Sequence, residues 1–182
     1  MVYRFKLVSD EVSNFSREIE IDAESTFFQL RKTILESVGY NKDEYDTFFL
    51  CDDDWQREEE ISLDDIGSLS DEDVWLMDTT LLSEMIDEEG QRLVFVFDYE
   101  SDRCFFMEMK EMITGRSLAE GICTLKKGNA PKQIVTPSEH DRVVDIQKVV
   151  DSKDLDLNID FDGDSDFNAE ELEEGFDDMP MN

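Results

Sequence analysis

A chain of 182 residues has room for one domain of ordinary size and an appendage. Its 17 basic side chains face 48 acidic ones, a formal net charge of -31, so an approach to nucleic-acid phosphate meets repulsion where DNA-binding proteins gain affinity by releasing counterions. Direct DNA binding and attachment to an anionic membrane are excluded as first readings, and fast encounter with a basic partner is favoured.

Cys51, Cys104 and Cys123 are an odd set at wide spacings, with no C-x-x-C pair, and the opening MVYRFKLVSD is not a secretory signal. A reducing cytoplasm is the expected compartment. No apolar run approaches the roughly 20 residues of a membrane span.

From residue 1 to residue 8, Tyr3, Phe5 and Leu7 alternate with Arg4 and Lys6, the period-two pattern of a half-buried strand. Ser9-Asp10-Glu11 breaks it. Phe15 to Ile21 restores the alternation, with Ile19 and Ile21 on one face and Glu18 and Glu20 on the other, which predicts an antiparallel pair. A helix follows. Thr26 and Gln29 have capping-box spacing, Phe27, Leu30, Ile34 and Val38 share a face, and Gly39 can take the left-handed conformation that ends it.

Tyr45 to Leu50 reads as a third strand. The acidic stretch after it, Cys51 to Glu60, reads as a solvated loop: carboxylates adjacent in sequence diverge, so Asp52, Asp53 and Asp54 make a weak metal candidate. Ile61 to Asp73 is loop-like, with Ile61, Leu63 and Ile66 touching the core. Val74 to Met77 predicts a short strand, and Thr79 or Thr80 caps a helix through Leu82, Met85 and Ile86 to Gly90.

The strongest hairpin signal comes next. Leu93-Val94-Phe95-Val96-Phe97 is too short for a helix and rich in aromatic and β-branched residues, so it predicts a strand buried on both faces. Asp98 to Arg103 forms the turn. Cys104 to Met107 returns, then alternates through Glu108, Met109 and Lys110, as a strand with one wetter face does. Gly121 to Leu125 is a short apolar piece, and Lys126 to Lys132, with its Gly and Pro, is a basic loop. Residues 143–150 fit a short helix or strand.

Residues 151–182 carry nine Asp and four Glu against one Lys, which predicts a disordered acidic tail. Within it Asp160, Asp162, Asp164 and Glu171 occupy positions 1, 3, 5 and 12 of a calcium loop, but Ser165 stands where the sharp turn needs glycine. Weak, nonspecific attraction for divalent cations is the expectation there, and no cofactor is implied. His140 is the only histidine and lies beside Glu139 and Asp141, so it reads as a surface residue and not as half of a nucleophilic pair. Trp55, Asp98, Tyr99 and Asp102, beside polar turns, are the candidate partner contacts.

The opening strand pair, TFFQLRKTILESVGY, CDDDW, LLSEMI and LVFVFDY together resemble the family named after the third open reading frame of an Ri plasmid, small α+β proteins of plasmids, transposons and bacterial genomes. The resemblance spans roughly residues 2–131. At the family's central turn this chain has Glu100, Arg103 and Phe105 where Gly, Trp and His are usual, and Cys123 and Pro131 match its later region in part. The resolvase label of some members does not carry over, since a nucleophilic serine amid arginines and a basic DNA-binding domain are not visible.

The expected architecture is thus α+β, a mainly antiparallel sheet with two packed helices over residues 1–131, a linker or short element over 132–150, and the acidic tail. The expected function is a non-catalytic acidic interaction module for a basic protein, a nucleic-acid-associated one included. Its alternatives are a carboxylate- or metal-dependent enzyme, and low-affinity cation binding by the tail.

Overall fold

The computed structural model describes residues 1–64 and 75–135. It contains β1 (Val2–Val8), β2 (Ser16–Asp22), α1 (Phe27–Val38), β3 (Thr47–Cys51), β4 (Arg57–Ser62), β5 (Trp75–Leu76), α2 (Leu82–Met85), β6 (Arg92–Asp98), β7 (Arg103–Ile113) and β8 (Ile122–Lys127). One eight-stranded sheet runs in the order β5-β4-β3-β6-β7-β1-β2-β8. All pairs are antiparallel except β4 with β5. The fold is α+β, mainly antiparallel, with two helices.

The β6–β7 hairpin lies at the middle of the sheet, as its sequence demands. Every residue from Leu93 to Phe97 is buried. Side chains alternate across the strand, so Leu93, Phe95 and Phe97 join the helices in the main core, where Phe95 and Phe48 rings lie 4.8 Å apart. Burying each such side chain contributes about 1.5–3 kcal/mol.

Helix α1 begins and ends as its residues dictate. The Gln29 amide donates to Thr26 Oγ1 at 3.3 Å and the Thr26 amide to Gln29 Oε1 at 2.8 Å, while Gly39 sits at φ 73°. Both helix starts are joined: the Phe27 amide donates to the Thr80 carbonyl and the Leu82 amide to the Ser25 carbonyl, satisfying donors that a helix's first turn leaves free.

Several expectations are corrected. Arg57 to Ser62 is a strand and not a loop. Of β4 only Ile61 is buried in the main core, and Glu59, on the same face, is exposed, so the apolar alternation that announces a strand is missing. Helix α2 is a single turn whose N-cap is Leu81. Glu84 accepts the Leu81 amide at 2.8 Å, and buried Thr80 gives its carbonyl to α1 instead of a side chain to α2. Lys126 and Lys127 belong to β8, and the turn starts at Gly128. Glu20 lies on the polar face of β2 yet is buried, because Arg4 and Arg116 close over it. Ile66, His140, the piece at 143–150, the tail and its calcium-like loop fall outside the described residues. Among the described residues, no helix is long and apolar enough to cross a membrane.

Candidate functional site

The alternation that sends Phe48, Phe95 and Phe105 toward the helices sends Phe49, Val94, Val96 and Phe106 to the opposite face of the sheet. There, with Cys51, Cys104 and Trp55, they form a second apolar cluster. Among the described residues no helix residue takes part in it, yet Val94 and Val96 are buried. Aromatic rings and two guanidinium groups cover them.

The CDDDW stretch builds that cover. Asp52 Oδ1 accepts the amides of Asp54 at 2.9 Å and Gln56 at 2.8 Å, and the Asp52 carbonyl accepts the Trp55 amide at 3.1 Å. The turn is thus closed by its own aspartate, the local bonding for which Asp is favoured in turns. Trp55 takes φ 62°, a left-handed conformation that is costly for a bulky side chain. Its ring meets Phe106 edge-on at 5.0 Å, and the Arg92 guanidinium lies 5.0 Å from the indole centroid while donating to the Asp53 carbonyl. These contacts offset the backbone cost and hold the indole on the outer face.

A second arginine links the two candidate turns. Arg57 lies 4.8 Å over the Phe49 ring and donates to Asp102 Oδ1 at 2.8 Å. Asp102, at φ 53°, is itself left-handed. Trp55 and Asp102, far apart in sequence, therefore both border the outer cluster, and Asp53 and Asp54 stand exposed beside it.

Asp98 and Tyr99 serve a different arrangement. Asp98 accepts the Ser101 amide at 3.3 Å and pairs with Arg103 at 3.4 Å. Tyr99 is 55% exposed at the hairpin tip, with its ring perpendicular to Tyr45 at 5.4 Å. Arg103 is the residue that sequence reasoning passed over. It is buried, pairs with both Glu11 oxygens at 2.9 Å, donates to the carbonyls of Gln133 at 3.0 Å and Lys132 at 2.6 Å, and lies 5.0 Å over the Phe97 ring. Burial works against its charge, but the hydrogen bonds it donates to Glu11 and Asp98 outweigh it and hold the guanidinium protonated. A lone cation inside the acidic turn, at the position where the resembled family has Trp, was the available signal.

The chemistry of the outer cluster is that of a contact surface. Burial pushes the Cys51 thiol up to about 11 and the Cys104 thiol up to about 12, so neither supplies a thiolate near neutral pH. Asp52 is occupied with turn amides. Among the described residues no three His, Cys, Asp or Glu side chains are grouped to hold a metal ion. Asp160, Asp162, Asp164 and Glu171 lie outside the described residues.

Comparison with solved structures finds a protein of unknown function from Methanosarcina mazei Go1, 16% identical, with a TM-score of 0.56 over 86% of this chain and 84% of that one. At that identity the likeness is one of fold alone. No curated protein matches the sequence. The family model described as plasmid pRiA4b ORF-3-like protein matches residues 2–174, past the end of the described residues. By that match over nearly its whole length, the chain belongs to the plasmid pRiA4b ORF-3-like family.

Proposed function

We propose that this chain is a non-catalytic interaction module that offers an acidic surface, with Trp55 beside it, to a basic protein. The supporting observation is how the arginines are used. Arg4 and Arg116 pair with Glu20, Arg31 with Asp46, Arg57 with Asp102 and Arg103 with Glu11. Arg17 donates to the carbonyls of Ser16 and Lys127, and Arg92 lies on Trp55. With these cations tied into the fold, Asp53, Asp54, Glu58 and Glu59 remain exposed, and among the described residues no cation pairs with any of them. Such a surface raises the rate of encounter with a positively charged partner, and the indole supplies the apolar anchor that charge alone lacks.

An arginine- and lysine-rich peptide titrated against the full chain tests the reading. Binding should weaken as salt rises and drop at least about tenfold in Glu58→Lys/Glu59→Lys, while Glu24→Lys, an exposed acid elsewhere, changes it little. Equal affinity in wild type and the double variant would refute it. Trp55→Ala then asks whether the indole takes part.

A further inference from the structure

Strand β8 ends the sheet, and no described strand pairs with its far side. Its outward backbone groups therefore lack a ladder partner among the described residues. The edge is also apolar. Ile122 is 41% and Leu125 40% exposed, and the register with β2 sets them opposite Glu20 and Glu18, on the outer face. Lys126 and Lys127 follow, both exposed, and no described carboxylate forms an ion pair with either. Lysines on an edge discourage indiscriminate pairing, and they also select for an acidic strand.

The sequence contains one. Residues 154–162 read Asp-Leu-Asp-Leu-Asn-Ile-Asp-Phe-Asp, with Leu155, Leu157, Ile159 and Phe161 at every second position and Asp156, Asn158 and Asp160 between them. Strict alternation of this kind is the signature of a half-buried strand. Overall charge, which alone suggests a disordered tail, hides it. The family match runs to residue 174, so this segment lies within the domain that the family shares.

The distances allow the connection. Lys132 and Gln133, near the end of the described chain, are fastened to Arg103 at the start of β7. From β7 the order β1-β2-β8 leads to the open edge. Four strand spacings of ~4.8 Å come to about 19 Å. Residues 136–153 can span up to about 60 Å at ~3.3 Å each.

We propose that residues 154–162 add to β8 as a further strand of the same sheet. The apolar face of the segment then lies beside Ile122 and Leu125, with its aspartates within reach of Lys126 and Lys127. Charge and pattern agree on this occupant: a net negative chain repels acidic segments from other molecules, whereas its own segment is tethered and needs no encounter.

Amide hydrogen exchange on the full chain tests this. In the wild type the β8 amides and those of 154–162 should exchange on the order of a hundredfold more slowly than in Leu157→Asp/Ile159→Asp, while β1 and β6 amides stay equally protected in both and show that the variant is folded. Lys126→Glu/Lys127→Glu, which leaves the apolar pattern intact, should lower protection at 154–162 by a smaller factor that added salt reduces. Equal exchange of β8 in wild type and Leu157→Asp/Ile159→Asp would overturn the proposal. Protection that depends on protein concentration, with a dimeric mass in light scattering, would overturn it too by assigning the edge to a second copy.

Discussion

At the scale of single residues, buried charge is the informative feature, and Arg103 is its clearest case. It joins the hairpin turn to Glu11 and to the carbonyls of Lys132 and Gln133. Arg103→Ala leaves those acceptors without their donor and should cost about 3–5 kcal/mol in urea unfolding, as removing one partner of a buried pair does. Glu20 gives a pH signature. Hydrogen bonding to Arg4, reinforced by Arg116, holds its carboxyl below the ordinary range despite burial. The unfolded chain therefore binds this proton more readily, so the stability Glu20 contributes is present above the usual carboxylate range and lost as pH falls through its folded value. Stability measured from neutral to acid pH should fall less in Glu20→Gln than in wild type. Asp46 acts with the opposite sign, since burial outweighs Arg31 and pushes its carboxyl up. The thiols make a kinetic prediction. With Ellman's reagent near pH 8, half-buried Cys123 should react first, and Cys51 and Cys104, buried and at about 11 and about 12, only at the rate of unfolding.

Elements were legible in proportion to how regularly they bury one face. Helix α1 could be read because its apolar stripe, Thr26 cap and Gly39 stop agree. The β6–β7 hairpin could be read because two apolar runs flank a polar turn. Phe95, fully buried against Phe48, carries that reading: Phe95→Asp should cost several kcal/mol and abolish the cooperative melt followed by circular dichroism. A variant melting near the wild-type temperature would contradict the central position of β6. Strand β4 was hidden because its place near the sheet edge leaves most of its side chains in solvent, and Glu58, Glu59 and Glu60 then look like any acidic loop. The candidate site was half legible. Trp55 and Asp102 were picked out beside turns, but nothing local says that Arg57 and Arg92 reach across strands to bring those turns onto one face. Long-range pairing of this kind leaves no periodicity to read.

For the whole molecule, the uneven use of charge has a consequence for stability. Buried pairs such as Arg31 with Asp46 and Arg103 with Glu11 are shielded from salt, whereas the exposed carboxylates around Asp53, Asp54, Glu58 and Glu59 repel one another through solvent. At about 0.01 M salt the screening length is about 30 Å, long enough for most of these charges to act on each other. Near 0.1 M it is about 10 Å, and only neighbours still do. A net charge of -31 favours the expanded chain, so removing the repulsion favours the folded state more than weakening the exposed pairs harms it. The melting temperature should therefore rise by a few degrees as sodium chloride increases from about 10 mM to about 200 mM and then level off. Glu58→Gln/Glu59→Gln should start higher at low salt and rise less, because part of the repulsion is already gone. A melting temperature that falls with salt would mean that exposed pairs such as Arg4 with Glu111 outweigh the repulsion, and that the carboxylate surface is less crowded than its composition implies.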